Sequence, residues 1–236
     1  MSLSLQLRKV VPRDEWLAAR RTLLVKEKAF TQAREALARE RRALPWEAVE
    51  TTYQFEGPDG VETLPQLFAG RSQLIVYHFM FAPQDDVGCP HCSFWADNFN
   101  DVIVHLNQRD TSMVAISRAP YSKLAAYHRR MGWTFRWLSS GETSFNHDIG
   151  VSFAPEEIAS GAPLFNYGTN APSGADRAAI SVFVTDGEQV FHTYSTYARG
   201  IDLMNTAYNY LDLTPKGRDE GGRGQFWVRR RDEYDR

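Results

Sequence analysis

Cys89 and Cys92 are the only cysteines in 236 residues, and both stand in the stretch "VGCPHCSFWAD" (87–97). A nearly continuous apolar run, "QLIVYHFMF" (73–81), precedes them, and a helical pattern follows. Two thiols two residues apart at a strand-to-helix junction can do redox chemistry. The first, Cys89, is placed at the helix N-terminus, where unpaired N–H groups and the positive dipole end stabilise a thiolate. Pro90 suits the first helical position, where its missing N–H costs nothing. Cys92 lies one turn on, within reach to close a disulfide or resolve a mixed one. His91 adds a donor close to the Cys89 sulfur and makes the pair more oxidising. No cofactor is needed for this chemistry.

Other readings of the pair are weaker. A structural zinc needs four ligands, and no second cysteine pair exists. His78, His91, His105, His128, His147 and His192 show no ligand spacing, so no metal site is expected. Two inert buried cysteines fit poorly with a Gly-Cys-Pro-His-Cys run. His78 alternates within the apolar strand and reads as a core or edge residue, while His105 and His128 read as solvent-facing. Trp95 reads as core that could wall the site. Arg118 ends a strand on the side of the cysteines, where open α/β sheets place their sites. His192, in a late hairpin, is a further candidate to line the site.

The elements that must hold these residues follow from pattern. Residues 13–44 read as helix, with Thr31 a candidate cap for a second helix and "LPW" (44–46) the end. Over 13–42 nine basic and five acidic residues give +4, which leaves −6 of the chain's −2 to the remainder. Without aromatic interleaving the arm is expected to clasp its own body or a second subunit rather than nucleic acid. "VETTYQFEGPDGVETLPQLF" (49–68) offers strand, turn, strand and a helical turn. Residues 73–81 suit a strand buried on both faces. Residues 93–109 read as one amphipathic helix, 111–119 as a strand and 121–132 as a helix ended by Gly132. Residues 180–196 read as a hairpin turning at Asp186-Gly187. Residues 202–213 read as a helix capped by Asp202. Such alternation implies an α/β fold, a central sheet with helices on both faces. The stretch 139–179, rich in Ser, Gly, Asn and Pro, reads as an insertion with little regular structure.

At 43% hydrophobic and 24% charged, the chain has an ordinary globular composition. Its near-neutral balance gives no reason to expect nucleic acid or a membrane as partner. "MSLSLQLRKV" has no apolar core for a signal peptide, and no window approaches the ~18–20 apolar residues of a bilayer span. A cytoplasmic location is expected, where paired cysteines serve catalysis or sensing more than static bridging.

Strand, C-P-H-C, helix, strand, helix, hairpin, helix resembles the thioredoxin superfamily, and Pro90-His91 is the dipeptide of DsbA-like disulfide oxidases. More closely, "ARERRALPW", "QLIVYHFMF", "GCPHCSFWAD", "SRAP", "MGW", "HTYSTYARG", "YLDLTPKGRDE" and "WVRRRDEY" resemble a bacterial family of thioredoxin-like proteins of unknown function, proposed to be dithiol–disulfide oxidoreductases. The resemblance spans about 38–234. It implies a thioredoxin-like fold and a redox class; the patterns above divide the chain into an N-terminal helical arm (1–46), a thioredoxin-like domain (47–213) carrying the insertion, and a C-terminal tail (214–236).

Two departures matter. Thioredoxins place a proline just before the hairpin strand that faces the motif; here "GADRAAISVF" (174–183) has none, and Arg177 sits nearby, an arginine typical of peroxiredoxins. Peroxiredoxins want Thr or Ser three residues before the cysteine; here Asp86 occupies that place. The leading expectation is a thiol–disulfide oxidoreductase acting on a protein or small-molecule thiol or disulfide, with Cys89 attacking and Cys92 resolving. A peroxiredoxin-like peroxidase comes second. A non-catalytic binding or metal-linked module comes third, with "FHTYSTYARG" and the tail as its surface. Phe226, Trp227 and Val228 are too apolar to float free and are expected to dock on the body or on a second subunit, which makes a homodimer possible.

Overall fold

The computed structural model describes residues 9–141 and 143–235. Residues 1–8 of the arm, Glu142 of the insertion and Arg236 of the tail lie outside the described residues.

The apolar run opens β4 (Gln73–His78), which pairs in parallel with β5 (Thr111–Ser117) and antiparallel with β7 (Ala179–Thr185). β8 (Val190–Tyr197) returns antiparallel to β7. The order β8-β7-β4-β5, with these directions and a helix between β4 and β5, is the thioredoxin-like core. On its β5 side the sheet extends through β6 (Arg136–Ser139) to the hairpin β2 (Gln54–Gly57) and β3 (Gly60–Thr63), and on its β8 side to the short β1 (Glu47–Ala48).

Period-two alternation divides the core. Ile75, Tyr77, Met113 and Ala115 face one layer of helices: α3 (Pro90–Ala96), α5 (Tyr121–Met131) and α8 (Thr206–Leu211). Leu74, Val76, Val114 and Ile116 face the other, where α2 (Leu64–Leu67) and α6 (Phe145–Asp148) pack. The expected helices on both faces are present.

Several local expectations change. Residues 93–109 do not form one helix; α3 ends at Ala96 and α4 spans Ile103–Asn107. The Asn98 amide donates to the Phe94 and Trp95 carbonyls at 2.9 and 3.0 Å, and so competes with the backbone ladder. Asp202 does not cap the last helix: its carboxylate takes Arg199 and Arg218, and a 3₁₀ helix spans Ala198–Met204. Asn205 caps α8 instead, accepting the Tyr208 N–H at 3.0 Å. The insertion holds α6, α7 (Pro155–Ser160) and, at its start, the end of β6.

The arm is one helix, α1 (Arg13–Arg42), unbroken at Thr31, whose hydroxyl donates back to the Glu27 carbonyl. None of its residues is buried, so it does not clasp the body along its length. Near its end Arg41 lies over Tyr194, and the following Trp46 packs on Phe191. No helix among the described residues is long and apolar enough to cross a membrane.

Candidate functional site

The site begins where β4 ends. The Cys89 N–H donates to the Met80 carbonyl at 3.2 Å, and the Met80 N–H reaches the Cys92 sulfur at 3.4 Å. Those two bonds tie the start of α3 to the chain leaving the central strand. The intervening loop is held from α5, whose Lys123 ammonium donates to the Pro83 and Asp85 carbonyls. Gly88 fits only as glycine: a Cβ there would lie 2.8 Å from Tyr127 Cε1 and 2.9 Å from Phe79 Cε1. Its carbonyl accepts two bonds from the Arg230 guanidinium, at 3.1 and 2.8 Å. Arg230 stands 142 residues downstream, in the tail.

Cys89 occupies the N-cap of α3 and Pro90 its first turn, as the sequence suggested. The Ser93 N–H and hydroxyl both donate to the Cys89 carbonyl, and Ser93 Oγ shares a hydrogen bond with the Tyr127 hydroxyl at 2.9 Å. The Tyr77 hydroxyl donates to the Cys92 carbonyl at 3.2 Å. The sulfurs sit differently. Cys92 is 1% exposed, whereas Cys89 is partly open to solvent. Both are free thiols.

The electrostatics separate them further. The Cys92 thiol hydrogen-bonds the Cys89 sulfur and is the main cause that brings Cys89 from 9.0 down to about 5; burial opposes this, while His91 and the Cys92 N–H add to it. Burial is the main cause that pushes Cys92 well above an ordinary thiol, with the neighbouring Cys89 charge adding to it. His91 is raised from 6.5, chiefly by its bond to Cys89, and the Gln225 carbonyl of the tail contributes. At neutral pH the pair is therefore a thiolate beside a thiol, which is the asymmetry a nucleophile and its resolving partner need.

The other candidates are distributed unevenly. Trp95 is 4% exposed, donates its indole N–H to the Ile201 carbonyl at 2.8 Å, and with Cys92 lines a cavity of about 340 Å³. Arg177 lines the same cavity, its guanidinium 5.1 Å from the Phe165 ring centre. Arg118 does not. It forms a two-point ion pair with Asp176, at 2.8 and 2.9 Å, that ties the end of β5 to the insertion. His192 is a correction: it packs on Phe183, on the sheet face opposite the cysteines, and bonds Ser195 Oγ at 2.7 Å. Side-chain direction alternates along β8, and hairpin membership alone does not say which face a residue takes. His78 is buried and bonds Ser181. His128 is half-buried, paired with the Phe135 carbonyl rather than facing solvent.

No local pattern marks Arg230, Gln225 or Ser93 as site neighbours. The apolar tail residues were the one available signal. Val228 is 3% exposed, and Trp227 lies edge-on to Phe94 of α3 with centroids 5.4 Å apart, so the tail docks on the chain's own body. Among the described residues no three His, Cys, Asp or Glu side chains gather as metal ligands.

The family model "Bacterial protein of unknown function (DUF899)" matches residues 5–234, which is nearly the whole chain and includes the motif and the docked tail. The chain belongs to the DUF899 family. No curated protein matches it in sequence. Among solved structures the DUF899 chain is similar to the peroxidoxin BcpB of Mycobacterium tuberculosis, at 17% identity and a TM-score of 0.46, covering 69% of this chain and 94% of that one. It is similar also to peroxiredoxin Q of Xanthomonas campestris, at 14% identity and 0.49, covering 73% and 99%. A third is thioredoxin peroxidase I of Plasmodium yoelii, at 11% identity and 0.46, covering 72% and 90%.

Proposed function

We propose that this DUF899 protein is a thiol–disulfide oxidoreductase. The observation that carries the reading is the unequal pair: a partly exposed Cys89 thiolate hydrogen-bonded by a buried Cys92 thiol. The Cys89 thiolate attacks one sulfur of a substrate disulfide. A Cys89–substrate bond forms and the other substrate sulfur leaves as a thiolate. Cys92 then gives up its proton and attacks Cys89. The intramolecular disulfide forms, and the second substrate thiolate departs. The protein dithiol is oxidised by two electrons and the substrate disulfide is reduced; the reverse sequence oxidises a dithiol substrate. A thiolate stabilised to this degree favours the reduced form, so the pair serves best as an oxidant.

Single substitutions test the roles. Cys89→Ser abolishes exchange, and Cys92→Ser accumulates a mixed disulfide on Cys89 that mass spectrometry detects. Normal turnover by Cys92→Ser removes the resolving role.

A second reading uses the same low Cys89 pKa. As a peroxidase, the Cys89 thiolate takes one oxygen from a peroxide to become sulfenic acid. Cys92 then condenses with it, releasing water and closing the disulfide. The acidic Asp86, in the place three residues before Cys89 where peroxiredoxins want Thr or Ser, weighs against it. Stopped-flow reaction with hydrogen peroxide no faster than free cysteine removes this second reading.

A further inference from the structure

We propose that the cavity beside Cys92 is a subsite for the carboxylate of a low-molecular-weight thiol or disulfide, with Arg177 as its anchor. The role of the ligand as a redox substrate rests on the reading above; its binding does not.

The cavity, about 340 Å³, opens onto Cys92 and His91 and has an aromatic wall that includes Trp95 and Phe165. Its charged lining is unbalanced. Arg177, Arg199 and His91 stand against one acid, Asp202. Asp202 is already occupied, taking Arg199 Nε at 2.6 Å and Arg218 Nη1 at 2.9 Å. Arg177 is not occupied in this way. Among the described residues no carboxylate pairs with it; Nη1 donates to the Ser173 hydroxyl at 2.6 Å, and Nε is buried with no partner. A planar guanidinium lying over an aromatic ring, with a buried Nε that has no partner, is suited to a carboxylate, which it can bind at two points. Leaving such a donor unpaired carries a desolvation cost that the ligand would remove.

The surroundings point to a small ligand. The tail lies against the start of α3, with the Gln225 carbonyl at His91, Arg230 on the Gly88 carbonyl and Trp227 on Phe94. A second cavity of about 460 Å³ shares His91, Arg199, Asp202 and Gln225 with the first. Together they offer the room of a small-ligand site, where pockets run from about 300 to 1,000 Å³. A peptide-like thiol with one or more carboxylates matches this chemistry: sulfur toward the dithiol, carboxylate toward Arg177.

The test uses S-methylglutathione, which carries the carboxylates but cannot exchange. Calorimetry on the full chain is expected to show binding to the wild type. Binding is expected to weaken about tenfold or more for its diethyl ester and for Arg177→Gln. Arg177→Lys, which keeps the charge and loses the fork, falls between; if the Gln variant does not fold, binding by Arg177→Lys equal to wild type overturns the subsite. No binding by the wild type, or equal binding by wild type and Arg177→Gln, overturns the subsite. Wild-type exchange with the neutral bis(2-hydroxyethyl) disulfide is read separately. Exchange without Arg177-dependent binding sinks the subsite and leaves the redox reading standing. Arg177-dependent binding without exchange upholds the subsite and sinks the redox reading.

Discussion

Replacing Cys92 by alanine removes the largest influence that holds Cys89 as a thiolate. Cys89 titrates at about 5 in place of 9.0, with the Cys92 hydrogen bond first among the causes and His91 contributing less. One pKa unit is ~1.4 kcal/mol between charge states, so at pH 7 the two units above the folded pKa stabilise the reduced protein by about 2.7 kcal/mol. That stabilisation exists only while Cys89 is a free thiolate and vanishes when the disulfide closes. It therefore raises the potential by about 60 mV over the same pair with an ordinary thiol. The sign with pH follows from a depressed folded pKa. The contribution is fully present above 9.0, shrinks as pH falls, and is lost once pH passes below about 5. Thiolate absorbance against pH is the assay. Wild type is expected to show an apparent pKa near 5. Cys92→Ala is expected to show the largest rise, and His91→Ala a smaller one. A wild-type value of 8 or more contradicts a Cys89 thiolate held by Cys92, and so does a larger rise for His91→Ala than for Cys92→Ala.

Three further outcomes are expected. Gly88→Ala drives a methyl against Tyr127 and Phe79 and lowers stability by about 1–3 kcal/mol; an unchanged urea midpoint contradicts that packing. Arg230→Ala leaves the Gly88 carbonyl without its two charged donors and is expected to cost about 1–3 kcal/mol; an unmoved melting temperature argues against the tail as a clamp. His78 is held neutral, lowered from 6.5 to about 3 chiefly by burial, so its contribution is complete above 6.5 and declines as pH falls toward 3. Its part of the acid limb is about 1.4 kcal/mol per pH unit; a stability curve that is flat between pH 6 and 4 and unaltered in His78→Phe counts against this.

The parts legible in the sequence were those set by local pattern. The apolar run of β4, the Asp186-Gly187 turn and the left-handed Gly132 at the end of α5 each follow from residues beside one another. So does the placing of Cys89 at a helix start. What escaped depends on residues far apart. The 93–109 pattern is helical by period, yet asparagine side chains break it, and Asn100 and Asp97 are turned toward Thr134 and Trp133. β6, "RWLS", shows no alternation because its last three residues are all buried. Asp202 has the right chemistry for a cap but is taken by two arginines. Within the site, Cys89, Pro90, His91 and Cys92 are contiguous and were visible together. Arg230 and Gln225 reach the motif only because the tail folds back over α3. His192 was misplaced because a hairpin's pattern does not fix which sheet face meets the redox helix.

The most direct test of the central claim is to equilibrate the protein in glutathione buffers and count alkylatable thiols at Cys89 and Cys92 by mass spectrometry. Both thiols are expected to be lost together in an intramolecular disulfide, with a potential well above the approximately −270 mV of thioredoxin. A pair that never closes, or that closes only at or below that value, contradicts it.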